Sequence, residues 1–252
     1  MSGSLRHQVI LDRLHEVGSV DVIDLAQELD ISPVTIRRDL DQLASRGVLR
    51  RIRGGAVSLM LRGEGLPFAM REIEDAGLKD RMGEAVSGLL RDGEAVAIDS
   101  GTTGAAVARA VVVRRLVVMP FSVQALTHLA GSASVDILLP GGSVRRDEGS
   151  FVGPLAESTL SALRFDTAVL TCCGVSMAEG VMAHDLQDAA VKRAMSGAAR
   201  RTILVAEGAK FARSAMAVVA PLTGIDALVT DSAAPSDVIR HLEDNGVQVI
   251  IA

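Results

Sequence analysis

The segment from Ser32 to Leu43 carries cationic and polar side chains at helical spacing. At about 100° per residue, Thr35, Arg38 and Gln42 fall on one side of a helix, and Arg37 lies beside them. Arginine binds phosphate, and arginine, glutamine and threonine hydrogen-bond to base edges in a major groove. A solvated helix face has the same composition, so the neighbouring segments have to decide between the two interpretations.

The helix that holds these side chains has a defined start and a defined buried side. Ser32 is a good N-cap, and Pro33 is tolerated at the first helical position because its missing N–H needs no partner there. Ile36, Leu40 and Leu43 share another side and are expected to face a core. The helix is therefore predicted to be anchored by this apolar side and to present its arginines outward.

Two other short helices are predicted before this one, and a basic hairpin after it. The first covers residues 5–17, and Asp21 is suited to cap a second that runs to Leu29, so the three helices form a helix-turn-helix. In the hairpin, residues 48–49 are expected to pair with residues 56–57, and its arginines can follow a phosphate backbone. A surface hairpin with incidental charge is the alternative. The hairpin tip would hold Arg51, Arg53, Gly54 and Gly55.

The positive charge of the chain is local. The net charge is −5, yet residues 1–62 hold nine arginines against eight acidic residues, whereas the rest hold seventeen basic against twenty-three acidic residues. A compact basic edge of this kind suits contact with DNA. The chain has no Trp or Tyr and only five Phe, which argues against binding of single strands or RNA by base stacking.

Two motifs in this region match a known pattern. They are Ser32-Pro33-x-Thr35-Ile36-Arg37-Arg38-Asp39-Leu40, with Leu43 and Gly47 after it, and Arg50-Arg51-x-Arg53-Gly54-Gly55-Ala56. Through them, residues 6–57 resemble the N-terminal domain of the DeoR family of bacterial transcriptional regulators. The resemblance implies sequence-specific DNA binding, and it implies that Asp39 pairs with a nearby arginine. The predicted DNA-binding residues are Ser32, Thr35, Arg37, Arg38, Gln42, Arg51, Arg53, Gly54 and Gly55.

The length of 252 residues suits a small domain followed by a larger one. A linker is expected where Gly63, Gly65 and Pro67 interrupt a mostly polar stretch. From Gly77 onward, predicted helices alternate with apolar strands, which indicates a mainly parallel sheet covered by helices on both faces. We therefore predict the α/β class, with a winged helix-turn-helix domain over residues 3–58, a linker over 59–76 and an α/β domain over 77–252.

The carboxyl ends of the predicted strands carry the residues best suited to bind a small ligand, since ligands gather there in parallel sheets. The strand at 94–98 is followed by Asp99 and then by Gly101-Thr102-Thr103 at the start of a helix. Glycine lets backbone N–H groups approach an anion, and the threonine hydroxyls and the helix N-terminus add to its binding. Glycine and threonine also cap helices that bind nothing, so both interpretations stay open.

Three later strand ends hold similar groups. Each has an alternative, either a tight turn with a surface arginine or a solvated lysine. Together, four strand ends rich in glycine, threonine, arginine and lysine favour an anionic small ligand. The residues are Gly141, Gly142 and Arg145 after the strand at 135–139, Gly174 and Asp185 after 167–171, Lys192 on the next helix, and Lys210 after 202–206.

These strand ends also match a family pattern, through Asp99-x-Gly101-Thr102-Thr103, Gly141-Gly142-x-x-Arg145, Gly174-Val175, Asp185, Lys192-Arg193 and Lys210-Phe211. The segment is similar to the C-terminal sensor domain of the DeoR family. The resemblance implies a fold related to phosphosugar isomerases, and an effector that is a phosphorylated sugar or a related metabolite. The predicted effector-binding residues are Asp99, Gly101, Thr102, Thr103, Gly141, Gly142, Arg145, Gly174, Asp185, Lys192 and Lys210.

Three positions depart from the family pattern. Pro120-Phe121 stands where the family usually has Thr-Asn, Asp188 stands for a usual Glu, and Glu207-Gly208-Ala209-Lys210 stands for Asp-x-Ser-Lys. The phosphate end of the pocket is therefore expected to be kept, while sugar-facing polar groups have changed. A modified or bulkier effector is allowed.

The expected function is a transcriptional repressor of a carbohydrate or polyol operon. A phosphorylated sugar-like effector would release it from double-stranded operator DNA. A homodimer or homotetramer is expected, because single winged modules bind repeated half-sites weakly. No cofactor and no metal are expected, since His184 stands alone. The alternative is a phosphosugar isomerase carrying a DNA-binding domain, with Asp99, Asp185 or Glu207 as its base.

The remaining features favour a cytoplasmic protein that does not enter a membrane. No signal peptide is visible, and no uncharged run approaches the ~20 residues of a membrane span. Cys172 and Cys173 are adjacent and offer no disulfide framework. They are expected to end a buried strand rather than to form a redox pair.

Overall fold

The chain divides into two units, Met1–Met70 and Arg71–Ala252, in the computed structural model. The structure describes residues 3–45, 49–58 and 68–252. Residues 46–48 of the predicted hairpin lie outside the described residues, as do the glycines and the proline expected in the linker. The predicted linker at 59–76 includes a helix, residues 68–73. The boundaries of the three predicted parts stay a prediction.

The first unit contains the predicted three helices and hairpin. Ile36, Leu40 and Leu43 of the third helix are fully buried against Ile10 and Leu14 of the first, so the predicted core side is confirmed. The elements are α1 (Gly3–Val17), β1 (Ser19–Asp21), α2 (Val22–Glu28), α3 (Pro33–Ser45), β2 (Leu49–Ile52) and β3 (Gly55–Ser58).

The hairpin is longer than predicted and belongs to a three-stranded antiparallel sheet of order β1-β3-β2. Ile52 pairs with Gly55, so the turn consists of residues 53 and 54 alone. Arg51 therefore lies within β2 rather than at the tip. Strand β1 was not predicted. It can approach β3 closely because Gly55 has no side chain. A Cβ at Gly55 would lie 2.0 Å from the carbonyl oxygen of Val20.

The second unit alternates helices and strands, as the periodicity predicts. Its strands are β4 (Ala95–Ile98), β5 (Leu116–Pro120), β6 (Val135–Ile137), β7 (Ser143–Val144), β8 (Phe151–Val152), β9 (Phe165–Thr171), β10 (Gly174–Ser176), β11 (Gly180–Ala183), β12 (Ala199–Val205), β13 (Ala217–Ala220), β14 (Ala227–Thr230) and β15 (Gln248–Ile251). Its α-helices are α5 (Ala76–Leu89), α6 (Gly101–Val111), α7 (Val123–Leu129), α8 (Pro154–Ser161), α9 (Leu186–Ala198) and α10 (Ser236–Asp244), and α4 (Phe68–Ile73) leads into it.

Seven strands form a parallel sheet of order β15-β14-β12-β9-β4-β5-β6, which confirms the predicted α/β class. Successive side chains point to opposite faces. Ile98 and Val169 therefore pack under α5, α6 and α7, while Ala97 and Leu170 pack under α8 and α9. Both faces are covered, and the interior is almost entirely aliphatic.

Two smaller sheets were not predicted. Strands β10, β11 and β13 form an antiparallel sheet, and β7 pairs with β8. The strands are two to four residues long, too short to show a periodicity of their own. Within the described ranges, no helix combines the length and the apolar character that crossing a membrane requires.

Candidate DNA-binding surface and effector site

The start of α3 is fixed by a cap that the sequence predicted. The Oγ of Ser32 accepts a hydrogen bond from the backbone N–H of Thr35 at 3.2 Å, and the two hydroxyl oxygens lie 2.9 Å apart. This contact satisfies a backbone donor that the helix itself leaves without a partner. Ser32 and Thr35 therefore set where α3 begins and how its first turn faces solvent.

On the outward face of α3, the side chains of three predicted contact residues are exposed to solvent. Arg37, Arg38 and Gln42 are exposed, and none of their side chains has a hydrogen bond or an ion pair with any residue in the described ranges. A ligand that contacted their side chains would therefore displace only water. This arrangement suits phosphate contact by arginine and base-edge contact by arginine and glutamine.

Asp39 lies on the inner side of α3, where it holds α1. Its carboxylate accepts hydrogen bonds from Nε and Nη2 of Arg6 at 2.7 and 3.1 Å, and it lies 3.3 Å from Nε2 of His7. The side chain of Asp39 is 5% exposed. The two-point pair with Arg6 fixes the angle between the helices more firmly than a single bond would. Asp39 is thus paired with an arginine, as the resemblance implied.

The hairpin arginines differ from one another. Arg51 forms an ion pair with Asp41 of α3, Nε to Oδ1 at 2.8 Å, and donates to the carbonyl of Gly55, so it ties the hairpin to the helix. Arg53 is exposed and has no partner among the described residues. Gly54 beside it has φ of +83°, which favours glycine in the turn. Gly54 and Gly55 therefore have structural reasons for their identity.

The second unit brings three strand ends side by side, because β12, β9 and β4 are neighbours in the sheet. Gly101 starts α6 with φ of +86°. Ser100 stands at the N-cap but does not cap the helix with its side chain, which instead donates to Asp188 at 3.4 Å. The first turn of α6 thus presents backbone donors at the carboxyl edge of the sheet, which suits an anion.

Asp99 lies beneath this turn in a buried network. Its carboxylate accepts from the N–H of Ser100 at 2.7 Å and from N–H and Oγ1 of Thr171 at 2.8 and 3.0 Å, and it pairs with Lys192. Lys192 also lies 3.4 Å from Asp188. The side chains of Asp99 and Lys192 are 1% and 2% exposed. The structure brings these two predicted residues together, but as the interior support of the site.

In this network one cation, Lys192, lies between two carboxylates. Burial by itself lowers the pKa of Lys192, but Asp188 and Asp99 outweigh it and hold that pKa above its ordinary value. Burial raises the pKa of Asp188, and Lys192 opposes this shift. The lysine is therefore cationic and already neutralised by two carboxylates. It contributes little attraction to a further anion.

A second buried lysine, Lys79 of α5, lies on the other side of the strand ends. Burial lowers its pKa, and Glu207 opposes the shift. Its Nζ donates to the carbonyls of Arg71 and Glu74 and lies 3.8 Å from Oε1 of Glu207. Glu207 also accepts from Oγ1 of Thr103 at 3.4 Å. Thr103, predicted as an effector contact, is thus connected to the backbone of residues 71–74.

Lys210 is the predicted cation that stays available. It lies in a 3-10 helix, Gly208–Ala212, whose start is held by Asp231 through a hydrogen bond from the N–H of Gly208 at 2.8 Å. Lys210 is half-buried, and its side chain has no hydrogen bond or ion pair with the part of the chain that the structure describes. Burial, Lys210 and Arg71, in that order of size, lower the pKa of His184. His184 is therefore close enough to both cations for their charges to affect its pKa.

Two ion pairs stand at the rim. Nη1 of Arg145 lies 3.7 Å from Oδ1 of Asp185, and that carboxylate caps α9 by accepting from the N–H groups of residues 187 and 188. Arg71 of α4 pairs with Glu148. A Cβ at Gly101 would lie 3.9 Å from Nη1 of Arg71. The predicted residues Arg145 and Asp185 are thus partners, and Arg71 is a neighbour of α6 that the sequence reasoning placed in the linker.

Other predicted residues have structural roles. Gly141 and Gly142 have φ of +72° and +90°, and a Cβ at Gly142 would lie 2.5 Å from the carbonyl oxygen of Val152. A Cβ at Gly174 would lie 2.3 Å from the carbonyl oxygen of Arg213. Thr102 is buried in the first turn of α6. These contacts explain the residue types without a ligand, so their part in effector binding stays a prediction.

The adjacent cysteines follow the end of β9, close to the predicted place. Burial raises the pKa of Cys172 to about 12 and also raises the pKa of Cys173. Both thiols are therefore protonated at neutral pH and unreactive as nucleophiles. Within the described ranges, no group of three or more His, Cys, Asp or Glu side chains is placed to hold a metal ion.

Four residues of the site were missed by sequence reasoning: Arg71, Lys79, Glu148 and Thr171. Arg71 lies in a stretch whose polar composition resembles a linker, and Lys79 and Glu148 look like solvated charges on a helix and a loop. Thr171 ends a predicted strand, and an inward Thr hydroxyl at a strand end was the one available signal. The others needed the tertiary structure.

Comparison with known proteins gives a consistent picture. Residues 6–60 match the model of the DeoR-like helix-turn-helix domain, and residues 74–232 match that of the DeoR C terminal sensor domain. The chain is 31% identical to the glycerol-3-phosphate regulon repressor of Haemophilus influenzae, over 100% of this chain and 98% of that protein. It is 28% identical to the L-fucose operon activator of the same species, over 98% and 99%. Among solved structures, ribose 5-phosphate isomerase A of Methanocaldococcus jannaschii is similar with a TM-score of 0.41, 14% identity and 55% coverage of each chain.

Proposed function

Because the chain belongs to the DeoR family of DNA-binding transcriptional regulators, we propose that it represses a carbohydrate or polyol operon and leaves its operator when a phosphorylated sugar-like metabolite binds. The observation that carries the proposal is that one chain holds an exposed, arginine-bearing α3 and, in its second unit, both a helix start without a side-chain cap and Lys210, whose side chain has no partner among the described residues. The first can hold DNA, and the second can bind an anion.

In the DNA-binding unit, Arg38 and Gln42 read base edges with Thr35, while Arg37 and Arg53 contact phosphate. Arg51 acts through Asp41 by holding the hairpin against α3, and not as a free cation. A homodimer or homotetramer places two or more such units on repeated half-sites, since one module has low affinity by itself.

In the sensor unit, the phosphate group of the effector lies at the first turn of α6 and receives Lys210 as a counter-ion. Asp99 and Lys192 hold the turn from below and do not touch the ligand. Phe121, where the family usually has a polar residue, is 1% exposed and packs in the apolar layer. That side of the site therefore offers fewer hydrogen bonds, which favours an effector that differs from a standard sugar phosphate.

The test begins with selection of operator sequences from random duplex DNA by the full chain. A thermal-shift screen then compares phosphorylated sugars and polyols with their unphosphorylated parents. We expect a phosphorylated hit to raise the unfolding temperature and to weaken operator binding by about 1–3 kcal/mol of coupling. A hit that strengthens operator binding contradicts the repressor mechanism and favours an activator. Absence of any phosphorylated hit contradicts the effector class.

The alternative function, a phosphosugar isomerase, is less well supported. The relatives named above are regulators, and Asp99, the first candidate base, has its carboxylate oxygens occupied by Ser100, Thr171 and Lys192. A general base needs a free oxygen within hydrogen-bond reach of the substrate proton. Incubation of the purified chain with ribose and hexosamine phosphates should therefore yield no isomerised product.

A further inference from the structure

Arg71 lies where the chain enters the sensor unit, and its side chain lies at the effector site. Its guanidinium pairs with Glu148 of the loop between β7 and β8, and its Nη1 is 3.9 Å from the Cβ position of Gly101. The pair is partly solvated, with side chains 18% and 26% exposed. Arg71 therefore lies next to the start of α6, which has no side-chain cap, and its guanidinium is paired with the carboxylate of Glu148.

The carboxylate of Glu148 is a weak competitor for this arginine. A partly exposed ion pair contributes little stability, because both charges are well hydrated once they separate. A phosphate offers the planar guanidinium two acceptors, as a carboxylate does, but its charge is larger, so it attracts the arginine more strongly. Lys210 and the N-terminus of α6 add to the attraction of an anion at the same place.

We propose that Arg71 is a ligand-binding residue of the sensor and that the anionic group of the effector replaces Glu148 as its partner. The inference rests on the proposed function, because it assigns a residue and a regulatory step to the same site. Arg71 thereby turns from the loop at Glu148 toward the first turn of α6. Glu148 is released into solvent.

The exchange would act on the segment that connects the two units covalently, because Arg71 is the first residue of the second unit. Arg71 belongs to α4, and its carbonyl accepts from Lys79 at 2.6 Å. Lys79 in turn faces Glu207, whose carboxylate accepts from Thr103 of the same α6 turn. Residues 71–74 are therefore attached to the site twice, once by a side chain and once by a buried lysine. A ligand that reorients Arg71 alters one attachment and leaves the other in place.

Two substitutions test the exchange because they should act in opposite directions. Glu148→Gln removes the competitor, so affinity for the probes inorganic phosphate and glycerol 3-phosphate should rise about two- to fivefold. Arg71→Gln removes the ligand contact, so affinity should fall about tenfold or more. Affinity is measured on the full chain by the dependence of unfolding temperature on probe concentration, at constant ionic strength.

Matched controls separate the exchange from general charge and folding effects. Asp147→Asn removes the same charge as Glu148→Gln from the neighbouring exposed residue and should leave affinity unchanged within twofold. Arg71→Lys keeps the charge but cannot bind in two-point fashion, so its affinity should lie between those of the parent and Arg71→Gln. Unfolding temperatures without ligand show whether each variant is folded.

The outcomes are distinct. Loss of affinity in both Glu148→Gln and Arg71→Gln means that the ion pair is only structural, and this overturns the inference while the proposed function stands. No binding of either probe by the parent chain also overturns it. The proposed function fails separately, when no phosphorylated compound of the screen changes operator binding. Opposite shifts, with an unchanged Asp147→Asn control, support the exchange.

Discussion

The cations of the two units differ in what surrounds them before a ligand arrives. Arg37 and Arg38 of α3 extend into water without a partner among the described residues, whereas Lys192 is enclosed by Asp99 and Asp188, and Arg71 is paired with Glu148. Binding to DNA therefore adds contacts to a surface that is already complete. An effector that binds Arg71 has to exchange a contact that exists, unlike one that binds Lys210, and the exchange at Arg71 can move the chain.

The largest expected effect that sharpens this contrast is on stability. Lys192→Met leaves two buried carboxylates without their cation, so the free energy of unfolding should fall by about 3–5 kcal/mol. Arg38→Met, the same kind of change on α3, should alter it by less than about 0.5 kcal/mol. Chemical denaturation measures both. The deficit of Lys192→Met should shrink at acidic pH, because protonation removes the unpaired charges; a deficit as small as that of Arg38→Met would contradict the network.

The next effect is on DNA recognition. Arg38→Met should weaken operator binding by about 1–3 kcal/mol and relax the preference at one base position, because a base-edge contact is lost. Fluorescence anisotropy with the selected operator and its single-base variants measures this. Equal weakening on all sequences would reassign Arg38 to phosphate contact.

A smaller effect separates the hairpin arginines. Arg53→Gln should reduce the slope of log affinity against log salt by about 1, with no change in base preference. Arg51→Gln should instead lower stability by about 0.2–1 kcal/mol, and Asp41→Asn should reproduce that loss because it breaks the same pair. Salt titrations of DNA binding and denaturation curves test the two roles. A reduced salt slope in Arg51→Gln would restore Arg51 as a phosphate contact.

The smallest expected effect is electrostatic. Lys210→Met should raise the pKa of His184, since Lys210 is the largest charge effect that lowers it, after burial. Glu148→Gln should lower that pKa further, because Glu148 raises it. NMR titration of the imidazole ring follows both shifts. Shifts of the same sign in the two variants would show that His184 does not lie between these charges.

The same contrast explains what the sequence could predict. The cap at Ser32, the buried side of α3 and the seven parallel strands follow from local rules of spacing, which act within a few residues. The positions of Asp99 and Lys192 were also predicted, through strand ends and a family motif. Their mutual pairing was not, because it joins residues 93 positions apart.

The missed features share a physical cause. Arg71 and Lys79 look like solvated charges until tertiary contacts enclose them, and α4 lies in a stretch whose polar composition resembles a linker. Strands such as β1 and β13 are held by pairing with distant segments and not by a periodicity of their own. Arg51 was placed at the hairpin tip because the sequence Arg50–Gly55 is compatible with both a two-residue turn and a longer one. Apart from the local turn at Arg51, each miss concerns a contact between distant residues.

The raised pKa values of the adjacent cysteines have a practical consequence for measuring release from DNA in solution. With its pKa raised to about 12, the Cys172 thiol stays protonated at pH 7, so reagents that attack thiolates should react with it slowly. Burial protects Cys173 in the same direction. A single cysteine added at an exposed position of α3 could then be labelled with a fluorophore in the otherwise natural chain. Release from the operator would be visible as a change in its emission.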